Sequence, residues 1–232
     1  MTERSETHRK LDAFSQHLLD ACRFVLVSPS LSANIGSAVR ALTTMGIPDL
    51  VVAAPRDAAF REDAGALALA AGAEARLAQV GSRPGLDAAL ADCQLAVAVS
   101  AEGREFGPPP AFPGPLCAEV LDMLSAGKVQ RVAFVFGTER TGLGTAEMAR
   151  CQRWLTIPAD ADYSSLNLAQ AVQIVAFSLR QAVLEREAAH ARASGDVTPT
   201  GAHSGEPPRT LAGQPTDVRG RGDEASLEAG VR

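Results

Sequence analysis

The sequence predicts an α/β fold in which a mostly parallel sheet is covered by helices on both faces. Short apolar runs rich in Val, Leu and Ile alternate with helical patterns through roughly the first 190 residues. These runs are continuously apolar, as strands buried on both faces must be, because neither side of such a strand meets water. Aromatic residues make up only 4% of the chain, so the core must be built mainly from aliphatic side chains.

The predicted elements follow one another in a regular order. They are a strand at 24–27, a helix at 34–45, a strand at 50–53, a short helix at 86–91, strands at 95–99, 132–136 and 154–157, and a long helix at about 166–191. Gly46 and Pro48 end the first of these helices, while Pro55 and Pro158 follow strands. The run at 132–136 is the most hydrophobic strand.

Composition divides the chain into three parts. Residues 1–20 are expected to form a loosely attached helix or tail, and residues 21–191 to form a single domain. Residues 192–232 are rich in Gly and Pro and poor in large hydrophobic side chains. Such a segment buries too little apolar surface to offset its ordering entropy, so the sequence predicts a disordered tail there.

Charge and cysteine usage bear on partners and compartment. The net charge of −5 has the wrong sign for a simple nucleic-acid binder, although a locally basic patch on the surface is compatible with that net charge. Nearly all positive charge is Arg, whose planar fork suits phosphate, with Lys only at Lys10 and Lys128. Four widely separated cysteines and the lack of a long apolar run predict a cytoplasmic protein without a membrane span.

Two classes of chemistry are disfavoured. All four histidines lie in terminal regions, outside the candidate segments described next, which argues against a Ser-His-Asp hydrolase. No spacing of His, Cys, Asp or Glu suggests a metal site, and the cysteines form no C-x-x-C pair.

The first candidate segment, residues 28–40, lies between a strand and a helix, where open α/β sheets usually bind ligands. Ser32 or Asn34 could be a simple N-cap, and Gly36 could let the helix pack closely on the sheet. Arg40 follows Asn34 by about a turn and a half. Chemistry alone makes Arg40 a plausible phosphate anchor.

The second candidate segment, residues 136–143, carries glycines at the spacing of a phosphate-binding P-loop. Leu143 and Gly144 stand where that loop needs Lys and Ser or Thr, which removes the triphosphatase interpretation. A glycine directly after a buried strand, Gly137, suggests a backbone brought close to a ligand. A sharp turn with a solvated Glu139–Arg140 pair is equally consistent.

The third candidate segment, residues 157–172, leads from a strand end through polar residues into an apolar helix. Ser164 or Ser165 could cap that helix, and Asn167 could be a satisfied buried amide. The same residues could instead surround a ligand with backbone N–H groups and hydroxyls at the start of the helix.

In this order and spacing, the three segments resemble the three motifs of the SpoU–TrmH branch of the SPOUT RNA methyltransferases. The matches are Asn34-x-Gly36-x-x-x-Arg40, then Phe136-Gly137-x-Glu139-x-x-Gly142-Leu143, then Ile157-Pro158 with Tyr163-Ser164-Ser165-Leu166-Asn167-Leu168-Ala169-x-Ala171-Val172. The resemblance spans roughly residues 23–184. Within that branch, segments 41–46 and 163–169 look most like the tRNA cytidine/uridine 2′-O-methyltransferases.

The resemblance implies a fold and an activity that periodicity alone would not suggest. It implies an α/β-knot, in which the C-terminal part of the domain threads a loop to form a trefoil, and a homodimer in which one subunit's Arg meets the cofactor of the other. It also implies methyl transfer from S-adenosylmethionine to a ribose 2′-hydroxyl, at nucleotide 32 in the tRNA anticodon loop. The structured C-terminal extension of some relatives is replaced here by the tail at 192–232.

The resemblance assigns roles to particular residues. Arg40 is the expected catalytic residue, with Ser165 orienting the hydroxyl or the cofactor. Asn34, Glu139 and Asn167 are expected to hold the shape of the site, with Asn34 also the best placed to touch RNA. The remaining expected residues are Val99, Ser100, Ala101, Gly137, Ile157, Ser164, Ser165 and Leu166 around the cofactor, and Arg104 and Arg140 near the RNA, Arg104 replacing an expected basic contact at Glu102.

Other interpretations remain open from the sequence. The same class of enzyme could act on rRNA or on another tRNA position. A catalytically inactive RNA-binding relative and a monomeric α/β domain for a nucleotide metabolite are the alternatives from other classes.

Overall fold

The computed structural model describes residues 10–101 and 109–194. Its helices are α1 Ala13–Asp20, α2 Ser32–Met45, α3 Ala64–Ala70, α4 Glu74–Leu77, α5 Leu86–Leu90, α6 Pro113–Ser125, α7 Thr145–Met148 and α8 Leu168–Ala193. Its strands are β1 Cys22–Val27, β2 Asp49–Ala53, β3 Gly81–Arg83, β4 Leu95–Val99, β5 Val132–Phe136 and β6 Arg153–Leu155. Arg104 and residues 195–232 of the predicted tail lie outside the described residues, whereas residues 192 and 193, which the sequence assigned to the tail, end helix α8.

The six strands form one parallel sheet in the order β3-β2-β1-β5-β4-β6. The predicted mostly parallel sheet is therefore confirmed. Strand β1 lies between β2 and β5, with Phe24 opposite both Leu50 and Phe134 in the register. Every strand consequently ends at the same edge of the sheet, and the loops that follow the strands gather there.

Both faces of the sheet are buried, as continuously apolar strands require. Along β1, Phe24 and Leu26 point into the larger core cluster, while Val25 and Val27 point into a second cluster on the opposite face. Helices α1, α2, α6 and α8 contribute to the first cluster and α5 to the second. The Phe24 ring stacks on Phe136 at 5.6 Å, so an aromatic pair anchors the centre of the sheet.

Helix α2 lies unusually close to α3. A Cβ on Gly36 would stand 2.0 Å from the carbonyl oxygen of Ala66, which leaves no room for any side chain. Close packing on the sheet was one interpretation of Gly36, but the close neighbour is the backbone of α3. The difference arises because α3, which the sequence did not predict, covers this face of α2.

Helix α1 is packed more firmly than the sequence suggested. Asp12 caps it by accepting a hydrogen bond from the Ser15 N–H at 2.7 Å. Leu18 and Leu19 are buried in the larger core cluster, so this part of the 1–20 segment is not loosely attached. No helix in the part of the chain that the structure describes is both long and apolar enough to cross a membrane.

The amino edge of the sheet carries a compact ion-pair network. The buried Arg23 guanidinium donates to Asp49 at 2.9 Å and to Asp92 at 2.5 Å, and Arg131 donates to the same two carboxylates. Hydrogen bonds from Arg23 hold the pKa of the Asp92 carboxyl below its usual range. The charges at this edge therefore neutralise one another over short distances.

Candidate active site

A pouch opens at the carboxyl edge of the sheet, where the loops after β4, β5 and β6 meet. Its walls include all eight residues that the sequence predicted around a cofactor, namely Val99, Ser100, Ala101, Gly137, Ile157, Ser164, Ser165 and Leu166. Glu139 and Arg140 also line it. The structure therefore brings the second and third candidate segments together with the end of β4.

The wall after β5 is a tight turn. Thr138 and Gly142 exchange two backbone hydrogen bonds of 3.1 and 3.0 Å, and Gly142 has a positive φ of 60°. A Cβ on Gly137 would lie 2.0 Å from the Gly142 carbonyl carbon. The backbone that approaches Gly137 thus belongs to its own turn, and Gly137 is needed to close that turn around the pouch.

Glu139, in this turn, is fastened to the start of α2. Its carboxylate accepts hydrogen bonds from the backbone N–H groups of Ser30 (2.7 Å) and Leu31 (3.2 Å) and from the Asn34 amide (2.8 Å). Burial raises the pKa of the Glu139 carboxyl, but these hydrogen bonds outweigh burial, and the net pKa is lowered. Glu139 is therefore an ionised acceptor at neutral pH rather than a solvated member of a Glu–Arg pair.

Asn34 extends the network to the start of α8. It is buried, and its side-chain oxygen accepts a hydrogen bond from the Asn167 amide at 3.0 Å. Asn167 in turn caps α8 by accepting hydrogen bonds from the N–H groups of Ala169 and Gln170. One side chain from each of the three candidate segments therefore joins a continuous chain of hydrogen bonds. The amide of Asn34 is used inside this network.

The caps differ from the simplest interpretation of the sequence. The N-cap of α2 is Leu31, which offers no side-chain cap, and Glu139 supplies the acceptor from another segment. Neither Ser164 nor Ser165 caps α8, because Asn167 occupies that position. Both serines are exposed on the wall of the pouch instead.

Arg40 is not among the residues that line the pouch of its own chain. It is exposed on α2, and its guanidinium makes no hydrogen bond or ion pair within residues 10–101 and 109–194. Arg40 lies on the helix face of Ala33, Ser37 and Thr44, away from buried Asn34. A role for Arg40 at a pouch therefore requires the pouch of a second subunit.

Sequence reasoning missed part of the wall. Phe136, Thr138, Thr141, Gly142, Leu168 and Ala171 also line the pouch. All six lie inside the second and third segments, so adjacency to the predicted residues was the available signal. The backbone N–H groups of Ser30 and Leu31 had no such signal, because backbone donors leave no trace in residue type.

The family model for the SpoU rRNA methylase family matches residues 21–177. The chain belongs to this family. The match covers the sheet from β1 to β6 and the first part of α8, and so includes every residue of the pouch.

Relatives within the SpoU family include enzymes named for tRNA methylation. The chain is 40% identical over 176 residues to the tRNA (cytidine/uridine-2′-O-)-methyltransferase TrmJ of Yersinia pestis strain Pestoides F, covering 75% of this chain and 65% of the relative. It is 41% identical over 171 residues to TrmJ of Pectobacterium atrosepticum, covering 73% and 68%. The match thus spans slightly less than two thirds of the first of these relatives.

Solved structures agree with the SpoU assignment. A probable methyltransferase from Bordetella pertussis Tohama I aligns with a TM-score of 0.69 at 39% identity, covering 72% of this chain and 99% of that one. TrmJ from Z. mobilis ZM4 aligns with a TM-score of 0.62 at 34% identity, covering 69% of each chain.

Proposed function

We propose that this protein transfers a methyl group from S-adenosylmethionine to a ribose 2′-hydroxyl of tRNA. The observation that carries the proposal is the pouch, where the second and third motif segments meet and are tied to the first by the Glu139–Asn34–Asn167 network. SpoU methyltransferases use S-adenosylmethionine, and similar proteins carry the name of a tRNA 2′-O-methyltransferase.

The walls of the pouch fit such a cofactor. Val99, Ile157 and Leu166 provide apolar surface, while Ser164 and Ser165 provide exposed hydroxyls. The cofactor supplies a methyl group on a positively charged sulfonium, whose charge is dispersed as the methyl leaves. An apolar wall does not oppose that loss of charge, and the ionised Glu139 on the wall does not repel the sulfonium.

The role proposed for Arg40 depends on a homodimer. A ribose hydroxyl is a poor nucleophile unless its proton is removed or its oxygen is held in line for attack. A guanidinium that pairs with the adjacent phosphate can fix the hydroxyl and lower its pKa. Because Arg40 is exposed and has no hydrogen-bond or ion-pair partner among the described residues of its own chain, we propose that it serves the pouch of the partner subunit. Ser165 is proposed to orient the hydroxyl or the cofactor.

The finer parts of the proposal follow from the family resemblance. We propose cytidine or uridine at nucleotide 32 of the anticodon loop as the target, with Arg140 near the RNA. The four cysteines are thiols rather than disulfides, which is compatible with action in the cytoplasm, where tRNA is available. We also propose that the methyltransferase domain spans residues 21–191.

A methylation assay tests the activity. Purified protein and labelled S-adenosylmethionine are incubated with total tRNA or with rRNA, each lacking the modification, and the tRNA should yield 2′-O-methyl nucleotides that map to position 32. Label appearing only in rRNA would favour the second candidate, rRNA methylation, which the description of the family model suggests. Cofactor binding without methylation of any RNA would favour an inactive RNA-binding relative.

Arg40→Ala tests the catalytic assignment. The variant should lose methylation while it retains cofactor affinity by calorimetry and the sedimentation coefficient of the wild type, which is expected to be that of a dimer. Full methylation by this variant, or a monomeric wild type, would remove Arg40 from the mechanism.

A further inference from the structure

The sheet has a notch at its amino edge, beside the start of β2. The first two residues of β2, Asp49 and Leu50, pair with Arg23 and Phe24 of β1. In the part of the chain that the structure describes, β3 begins only opposite Val51, so it has no residue to pair with these two. Because a strand presents hydrogen-bonding groups on both of its sides, β2 is open on the β3 side over this stretch.

A cavity of about 210 Å³ lies at this notch and is called the notch cavity below. Its apolar walls come from Val39 and Leu42 of α2 and from the residues around the starts of β2 and β3. Gly81, the first residue of β3, lines the cavity without adding a side chain to fill it. A water molecule takes up about 30 Å³ of liquid, so the notch cavity has room for a group several times that size.

The charges around the notch cavity do not balance. The charged residues of its wall are three arginines and one aspartate, namely Arg23, Arg76, Arg83 and Asp49. Arg23 and Asp49 belong to the ion-pair network of the amino edge, in which Asp92 supplies a second carboxylate and Arg131 a second guanidinium. The four charges of that network sum to zero, and the Asp49 carboxylate is offset at contact distance. Arg76 and Arg83 are therefore two positive charges in excess.

Arg76 is held in place without a counter-charge. Its guanidinium donates to the Ile47 carbonyl at 2.8 Å and pairs with no carboxylate within residues 10–101 and 109–194. Burial lowers the pKa of the Arg76 guanidinium, because partial loss of water disfavours its charged form. An anion in the notch cavity would offset that cost.

The carboxylate nearest to Arg76 in sequence belongs to Glu74, also on α4. It accepts a hydrogen bond from the Gly72 N–H at 2.7 Å, and Glu74 is not part of the wall of the notch cavity. Residues two apart on a helix do not face each other, so Glu74 is not placed to pair with Arg76.

Arg83 and Gln79 add further donors to the notch cavity. The exposed Arg83 donates to the carbonyl of the preceding residue and, among the described residues, has no ion-pair partner. A guanidinium carries five N–H donors, so most of those of Arg83 stay available. The side-chain amide of Gln79 lines the same space and makes no hydrogen bond to a described residue.

We propose that the notch cavity binds the phosphoryl group of a small molecule through Arg76 and Arg83, with Gln79 as an additional donor. A doubly charged tetrahedral oxyanion matches the two positive charges in excess, and a guanidinium fork recognises its oxygens through paired N–H bonds. The notch cavity lies at the amino edge of the sheet, whereas the pouch opens at the carboxyl edge. The inference therefore adds a second site and does not depend on the proposed methyl transfer.

Calorimetry with inorganic phosphate tests the site on the full-length protein, in chloride buffer at constant ionic strength. The wild type should bind one phosphate per chain with a saturable heat, and phosphate should raise its Tm where chloride of equal ionic strength does not. Arg83→Gln should weaken phosphate binding about tenfold, because it removes a charged hydrogen-bond donor. Since Arg83 is exposed, this variant should keep the wild-type Tm in chloride alone. Arg76→Lys keeps the charge but loses the fork, so it should weaken binding less.

The matched control is Arg150→Gln, which removes one exposed guanidinium from outside the wall of the notch cavity. Its phosphate affinity should equal that of the wild type. Filter binding with tRNA separates a small ligand from a nucleic-acid phosphate, and Arg83→Gln should bind tRNA as the wild type does. The inference is overturned by a wild type without saturable phosphate binding, by unchanged affinity in Arg83→Gln, by an equal loss in the control, or by lost tRNA affinity in Arg83→Gln.

Discussion

Glu139 shows how one side chain can serve two segments that the sequence presents separately. Its carboxylate satisfies two backbone N–H groups before α2 and the amide of Asn34. The first turn of a helix leaves its N–H groups without partners, so an acceptor from elsewhere is needed when the N-cap has no polar side chain. Leu31 is such an N-cap. Glu139 therefore fixes the position of α2 relative to the pouch.

Substitutions of Glu139 should show how much its hydrogen bonds contribute to the stability of the fold. Glu139→Ala leaves three donors without an acceptor and should lower the free energy of unfolding by about 2 kcal/mol. Glu139→Gln keeps one acceptor oxygen and should lose less. Urea denaturation measures both. Equal stability of wild type and Glu139→Ala would show that the three hydrogen bonds contribute nothing to the fold.

The lowered pKa of Glu139 predicts a direction of pH dependence. The folded pKa lies below the ordinary value of 4.5, so the ionised network stabilises the fold above that pH and the contribution is lost as the pH falls through the folded pKa. The stability difference between wild type and Glu139→Gln should therefore be constant near pH 7 and shrink below about pH 4.5. Urea titrations at several pH values test this, and a difference that grows on acidification would contradict it.

Gly137 acts through the turn and not through direct contact with a ligand. Gly137→Ala would force its Cβ against the backbone of Gly142, so the turn must open and the pouch wall must move. We expect at least a tenfold loss of S-adenosylmethionine affinity by calorimetry, since overpacking at a backbone typically costs about 1 to 3 kcal/mol. Gly114→Ala is the control, because a Cβ there meets nothing within 4 Å. Equal affinity in both variants would place the cofactor away from this turn.

Among the elements, α2 carries three separate constraints along its length. Its start is held by Glu139, its first turn contains buried Asn34, and Gly36 sits against the backbone of α3. Further along, Arg40 is exposed. A shift of this helix would therefore disturb the network and the placement of Arg40 together.

Gly36→Ala tests the contact between α2 and α3. Alanine favours helices over glycine by about 1 kcal/mol, yet the new Cβ would lie 2.0 Å from a carbonyl oxygen that cannot move without α3. The steric overlap should outweigh the gain in helix propensity, with a net loss of about 1 to 3 kcal/mol in the free energy of unfolding. Ser37→Ala, one residue later on the same helix, should change stability by less than about 0.5 kcal/mol. A stabilised Gly36→Ala protein would mean that α3 can shift away from the new Cβ at little energetic cost.

The elements that the sequence predicted are those whose pattern is local. The strands at 95–99 and 132–136 match the structure residue for residue, because each is a continuous apolar run with polar neighbours. Helix α6 was missed because Pro113 and Pro115 resemble a loop, although proline suits the first turn of a helix. Strand β3 has three residues and exists through its pairing with β2, which no local pattern records.

For the molecule as a whole, strand order and the wall of the pouch depend on contacts between distant segments. The placement of β5 beside β1 could not be derived from periodicity, since both are equally apolar. The pouch residues were predicted because the motif resemblance supplied long-range information that single residues lack. The knot is expected from the same resemblance and not from any local feature.

Buried thiols offer a test of the packed core. Burial raises the pKa of the Cys22 thiol above its usual range and that of Cys117 to about 12, whereas Cys93 and Cys151 are only half-buried. In the native protein at pH 8, an alkylating reagent should modify Cys93 and Cys151 well before Cys22 and Cys117. Peptide mapping by mass spectrometry assigns the sites, and all four should react together in denaturant. Early modification of Cys117 in native protein would contradict the packing of α6.

The ion pairs at the amino edge of the sheet have a consequence for sensitivity to salt. There, Arg23 and Arg131 face Asp49 and Asp92 at contact distance, so their fields cancel a short way into solvent. At physiological ionic strength, dissolved ions screen mainly those charges that are separated by more than about 8 Å, so they act only weakly on charges in direct contact. This network should therefore persist at salt concentrations that already weaken the binding of a polyanion elsewhere on the protein.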